Sequence, residues 1–126
     1  MTIQDTGIQI PESERNLLSN ASITARKKAT YSSRTSLQEL MKETEGRINN
    51  MDYTKVLAQL PQFIESLTPF EKCVFVKRYQ KSMQIWEIAY EELVHHDIQR
   101  ITTMSNEIIQ VIRKLKQKFE AFCESL

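Results

Sequence analysis

Glycine and proline are scarce in this chain, at two and three of 126 residues. All-β folds consume turn residues heavily, so such a fold is excluded and a mostly helical chain is expected. Two cysteines, Cys73 and Cys123, are too few for a disulfide framework. Each sits in an apolar helical pattern, beside Val74 and Phe122, and is expected to be a reduced, buried thiol. No apolar run approaches the ~18 residues of a membrane-spanning helix. Met1 to Ile10 has no basic stretch ahead of an apolar one, so no secretory signal is expected and a cytoplasmic location is. Neither sign of charge dominates: 17 Lys and Arg stand against 16 Asp and Glu, a formal +1. That excludes a highly basic packaging protein and an acidic solvating tail.

Catalytic signatures are missing too. GxxxxGKS/T, GxGxxG, HExxH, CxxC and GxSxG do not occur, and two glycines cannot build a phosphate loop. His95, His96 and Asp97 form the one metal-like cluster. Adjacent residues on a helix point about 100° apart, and on a strand they point to opposite faces, so they do not converge on one ion. A plain polar loop is expected there, with no metal, no cofactor and no enzymatic activity.

What is present divides by composition. The length suits one small domain. Residues 1–35 are rich in Ser and Thr, poor in large apolar residues and without sustained periodicity. They read as a flexible N-terminal arm carrying the basic cluster Arg26-Lys27-Lys28, which is either a solvated stretch or a contact to an acidic partner. Residues 36–126 read as a helical domain. Leu37, Leu40 and Met41 predict a helix from about Ser36 to Glu45, ended by Gly46, with a turn at Asn49-Asn50. Val56, Leu57, Leu60, Phe63, Ile64 and Leu67 recur at helical spacing. Pro61 either kinks that helix or sits in the first turn of another.

Thr68-Pro69-Phe70-Glu71 has the form of a capping box with proline in the first turn. The helix it starts carries Cys73, Val74, Val76 and Tyr79 up to the polar break Gln80-Lys81-Ser82. Lys72, Lys77, Arg78 and Lys81 offer a local basic patch on or just after it. Ile85, Ile88, Ala89 and Leu93 form the next stripe, with Trp86 beside it and Glu87, Glu91 and Glu92 facing away. After a polar connection, Ile108, Ile112, Leu115, Phe119, Phe122 and Leu126 alternate spacings of four and three. Thr102 or Thr103 is a suitable N-cap for a final helix of ~20 residues or more, near 30 Å long. Its apolar stripe is either core or the seam of a homodimer.

The string LTPFEKCVFVKRYQKSMQIWEIAYEEL, followed by ITTMSNEIIQVIRKLKQKF, resembles region four of bacterial sigma factors. It is similar also to the related helix-turn-helix regulators of phages of Gram-positive bacteria. The matching residues are Leu67, Thr68, Pro69, Glu71, Val74, Arg78 and Tyr79, then Glu87, Ile88, Ala89 and Leu93. Thr102, Thr103 and Ser105 follow, then Ile112, Arg113, Lys114, Leu115 and Lys116. One departure is the stretch from Val94 to Arg100, longer than the family's short turn.

The resemblance implies an all-α fold: a small helical bundle with a helix-turn-helix-like core at about 68–119 and a long C-terminal helix. It also implies a DNA-binding transcriptional regulator, with double-stranded DNA and RNA polymerase as partners. The residues fit a DNA-facing helix on their own terms. Arg100, Thr102, Thr103, Ser105 and Asn106 gather donors and acceptors at a helix start, where the dipole suits a phosphate. Gln110, Arg113, Lys114 and Lys116 follow on its polar side, and Gln, Asn and Arg can make bidentate contacts with purine edges. The charge is low for a domain that binds DNA alone: four basic and three acidic side chains lie in residues 101–126. The competing expectation is a helical adaptor or dimerisation protein that works by protein–protein contact without DNA. An exposed apolar stripe on the last helix would favour it. Thr68→Ala should cost ~0.5–2 kcal/mol in denaturant unfolding, and an unchanged midpoint would move the helix start elsewhere.

Overall fold

The computed structural model of the chain describes residues 31–126, and no strand occurs among them. Five α-helices lie within these residues: α1 Leu37–Glu45, α2 Tyr53–Glu65, α3 Pro69–Phe75, α4 Ile85–Glu92 and α5 Ile101–Glu124. A π turn, Val76–Gln80, extends α3, and a 3-10 turn, Leu93–His95, extends α4. None of these helices is long and apolar enough to cross a membrane.

The caps follow local chemistry. Ser36 Oγ accepts from Glu39 N at 3.3 Å and starts α1. The Asp52 carboxylate accepts from Lys55 N at 3.2 Å and starts α2. The box at α3 closes both ways: Glu71 N donates to Thr68 Oγ1 at 3.3 Å, and Thr68 N donates to Glu71 Oε1 at 3.0 Å. Gly46 ends α1 with φ −67°, in the right-handed region, and the left-handed residue of that turn is Asn50, at φ 57°. Pro61 starts no new helix; it lies inside α2. An interior proline removes one hydrogen bond, crowds the carbonyl four residues back and costs ~3 kcal/mol. Here the carbonyl left without its donor is that of Leu57, and both residues are exposed, so water reaches it.

α5 is the spine. Its 24 residues span about 36 Å at 1.5 Å per residue. Met104, Ile108, Ile112, Leu115, Phe119 and Cys123 line its buried side. Against them pack Ile85, Ile88 and Ala89 of α4, Val74 and Phe75 of α3, Leu40 and Met41 of α1, and Val56, Leu60 and Phe63 of α2. The most extensive of these interfaces is α4 with α5. Phe63 is the aromatic hub, with ring centroids 5.6 Å from Phe75, 5.5 Å from Phe119 and 4.8 Å from Phe122. Such pairs contribute roughly 0.5–1.5 kcal/mol each beyond area burial.

Three expectations change. The expected arm ran to residue 35; residues 1–30, with Arg26-Lys27-Lys28, lie outside the described residues, but 31–35 belong to the helical body. Arg78 Nη1 donates to the Ser33 carbonyl at 2.7 Å, Arg34 pairs with Glu87 at 3.0 Å, and Tyr31 Oη donates to Asn106 Oδ1 at 2.7 Å. Periodicity misses this segment because polar bonds to distant residues, not an apolar stripe, hold it. The expected basic patch on α3 is taken apart. Lys72 pairs with Glu65 at 3.0 Å, Lys77 pairs with Glu91 and Glu92, and Arg78 is buried. Glu92, expected to face away, is also buried.

The buried charges are held by partners. Glu71 accepts from Lys118 Nζ at 2.8 Å on both oxygens, joining the start of α3 to α5. Burial alone would raise the Glu71 pKa, but the Lys118 and Thr68 hydrogen bonds bring it below the ordinary 4.5. Glu92 follows the same pattern: burial is opposed by Cys73 and Lys77, and its pKa also lies below 4.5. A depressed carboxylate stabilises the fold above its unfolded pKa, and that stability is lost as pH falls through the folded value. The thermal midpoint should therefore hold on the neutral side and drop as pH falls below about 4.5. Glu71→Gln keeps a capping side chain but removes the charge. It should lower the midpoint at neutral pH, with the gap to the parent closing in acid; a constant gap would mean the Lys118 contact is not electrostatic.

Candidate nucleic-acid interface

The buried stripe of α5 leaves its opposite side to solvent. At 100° per residue, Thr102, Asn106, Gln110, Arg113 and Gln117 fall on one side of the helix, flanked by Thr103 and Lys114. All seven are exposed. Arg100, also exposed, is the residue before the helix: it is the N-cap, with φ −108° and ψ 127°, and makes no side-chain capping bond. The expected cap at Thr102 or Thr103 is therefore displaced, and both threonines stand exposed in the first turn.

The nine candidate residues divide three ways. Arg100, Thr102, Thr103, Gln110, Arg113 and Lys114 are exposed. Arg100, Arg113 and Lys114 have no ion pair among the described residues, unlike Arg34, Arg47, Lys72, Lys77, Lys116 and Lys118. Asn106 and Lys116 are already engaged: Asn106 accepts from Tyr31 Oη, and Lys116 Nζ lies 3.1 Å from Glu43 Oε1. Ser105 leaves the set. It is 1% exposed and its Oγ has no hydrogen-bond partner. It sits on the side of α5 that faces the core, where a large side chain would hold the helices apart. Spacing missed this because Ser105 lies outside the apolar series while sharing its side of the helix.

The connection between α4 and α5 runs over residues 93–100. It begins with the 3-10 turn, bends at Asp97 with φ 50°, and returns through Ile98, which packs against the core. His96 anchors it from outside. Its ring lies 4.5 Å from that of Phe70, and Nε2 lies 3.4 Å from Glu92 Oε2. Glu92 also accepts from Lys77 Nζ at 3.0 Å and from Cys73 Sγ at 2.9 Å. Burial, then the Glu92 hydrogen bond, pushes the Cys73 thiol up to about 11, so it stays protonated and donates. Cys73 is half-buried and Cys123 buried, and both are free thiols. The sequence held no local signal for this knot, because its members are up to 26 residues apart (Phe70 to His96).

A second feature escaped the sequence reading. Trp86, Tyr90 and Val94 are exposed on the outer side of α4 and its 3-10 extension. The signal was available: apolar residues recur every four positions on both sides of that helix, and only one side can enter the core.

Comparison with family models, with curated proteins and with solved structures returned no match. Ser105→Ala should leave stability unchanged or slightly raised, since it removes a buried hydroxyl that has no partner. A loss above about 1 kcal/mol in denaturant unfolding would show that the hydroxyl is bonded after all.

Proposed function

We propose that the protein is a cytoplasmic DNA-binding transcriptional regulator, with α4 and α5 acting as a sigma region four-like helix-turn-helix and α5 facing DNA. The observation that carries this reading is the outer side of α5. Three cations without ion pairs, Arg100, Arg113 and Lys114, share it with Thr102, Thr103 and Gln110, while most other described cations are paired. Unpaired cations are free to replace the counterions of a phosphate backbone, and amide side chains can read base edges. The adjacent packing of α4 on α5 also supports it. The connection of eight residues exceeds the 3–4 of the tight motif, so the helix pair is a widened version of it. The near-neutral total suits binding together with a larger DNA-bound partner such as RNA polymerase.

A homodimer through the apolar stripe of the C-terminal helix finds little support. Ile108, Leu115 and Phe119 are buried in this chain's own core. Only Leu126, at the end of that stripe, is exposed.

Mobility shift on the DNA flanking the protein's own gene, at two salt concentrations, tests the proposal. Replacing Arg113 and Lys114 by Ala should weaken binding without unfolding the domain, because neither side chain enters the core. Losing two phosphate contacts should make the slope of log affinity against log salt shallower by about 2. Gln110→Ala should leave that slope alone and relax discrimination between sites by ~1–3 kcal/mol. No retardation of any promoter-region fragment at low salt, alone or with RNA polymerase, would sink the proposal.

A further inference from the structure

α4 carries two apolar sides. Ile85, Ile88 and Ala89 are buried in the core. Trp86, Tyr90 and Val94 recur every four residues on the outer side and are 42%, 68% and 83% exposed. A solitary exposed apolar residue needs no explanation, but a contiguous aromatic ridge does. Trp and Tyr are the residue types most enriched where binding energy concentrates. Trp86 and Tyr90, with Met83, Glu87 and Glu91, line a shallow depression.

The rim of the ridge is acidic. Glu87, Glu91 and Asp97 lie along α4 and just beyond it, with Glu92 buried beneath them. Arg34 and Lys77 are the Lys and Arg side chains that pair with this group, and His96 Nε2 also approaches Glu92. Four carboxylates, the buried Glu92 among them, against two Lys and Arg side chains leave a formal −2 at this face (4 − 2). Lys77 alone serves both Glu91, at 3.2 Å, and Glu92, at 3.0 Å.

We propose that this ridge docks a basic amphipathic helix of a partner protein. Apolar side chains of that helix, three or four residues apart, would cover Trp86, Tyr90 and Val94. Its Lys and Arg would reach Glu87 and Glu91 or stack on the Trp86 ring. Charge disfavours the other occupants. An anionic membrane or a nucleic acid meets like charge here. A second copy, paired symmetrically through the same ridge, would set the acidic rim against itself. The inference uses no residue of the α5 polar side, so it stands or falls separately from DNA binding.

Trp86 is the single tryptophan of the chain, so its fluorescence reports on the ridge without labelling. The full-length protein is titrated with a synthetic helical peptide of about 18 residues, Leu along one side and Lys along the other, and with a counterpart bearing Glu for Lys. The expected result is a saturable blue shift with the Leu–Lys peptide only. Binding should weaken at least about tenfold in Tyr90→Ser, in Val94→Ser and in Glu91→Lys. These positions are exposed, and far-ultraviolet circular dichroism confirms that each variant is folded. Three results would overturn the proposal. One is no saturable shift up to about 1 mM peptide. Another is equal binding of the Leu–Glu peptide, or unchanged binding by all three variants. The third is a dimer in sedimentation that Tyr90→Ser dissolves, which would make a second copy the occupant.

Discussion

A single 24-residue helix whose apolar residues occupy one side must find cover along its whole length, and every other described element is arranged to provide it. No neighbour is long enough to do so alone. α4 is eight residues and α3 is seven, against 13 for α2, the longest of the others. The cover is therefore assembled in pieces, with α1, α2, α3 and α4 all contacting α5. Short helices are poor at holding themselves together, because nucleation is costly and few bonds repay it. Their caps and their packing on α5 supply what length does not. The consequence for function is geometric. With one side of α5 committed to the core, the other faces outward, and the backbone positions of the side chains on it are fixed while their exposed ends keep rotamer freedom.

Polar contacts fix how these pieces sit. Glu71 belongs at once to the cap of α3 and to Lys118 on α5, so the start of one helix is registered against the turn of another. Arg78 does the same for the segment before α1. Buried without a carboxylate partner, its guanidinium bonds to the carbonyls of Ser33 and Met83, with Nε left over. Burial pulls its pKa down, opposed by Tyr79 and Glu39. The π turn makes this possible, because Arg78 and Tyr79 are consecutive and both buried within it. An ion pair to a buried carboxylate, such as Glu71–Lys118, contributes little net stability, but it is costly to break from one side, as it is to strip a buried guanidinium of its carbonyls. Their effect is to penalise other arrangements of the same short helices.

The periodic features were legible in the sequence. The spacing through Phe119 marks the buried side of α5, and Thr68-Pro69-Phe70-Glu71 marks the start of α3, because both depend on residues a few positions apart. What was not legible depends on residues brought together by folding. Glu92 reads as a solvent-facing acid until Cys73, Lys77 and His96 surround it. Lys72 and Lys77 read as a patch until Glu65, Glu91 and Glu92 pair with them. Residues 31–35 read as arm because their anchors, Arg78, Ser82, Glu87 and Asn106, lie 45 to 75 positions away. The candidate site is mixed on the same grounds. Gln110, Arg113 and Lys114 follow from the wheel of α5, whereas the loss of Ser105 follows from what packs against it.

The total charge of +1 gave no hint of how the charge is distributed. Pairing takes six of the 13 described Lys and Arg side chains out of play, and Arg78 is buried; Lys42, Lys55 and Lys81 are left on other elements. Arg100, Arg113 and Lys114 stand at the start and on the outer side of α5. On α4 and just beyond it, beside Trp86 and Tyr90, Glu91 and the buried Glu92 share Lys77, Glu87 has Arg34, and Asp97 has no ion pair among the described residues. These two helices pack on each other through the side each has buried, so their outer sides present different chemistry to solvent. Long-range attraction acts within about 8 Å at physiological salt, so a local excess matters more to an approaching ligand than the net sum. The DNA contact proposed on α5 and the helix dock proposed on α4 ask for ligands of opposite charge. The same near-neutral protein can therefore carry two surfaces of opposite preference without either weakening the other.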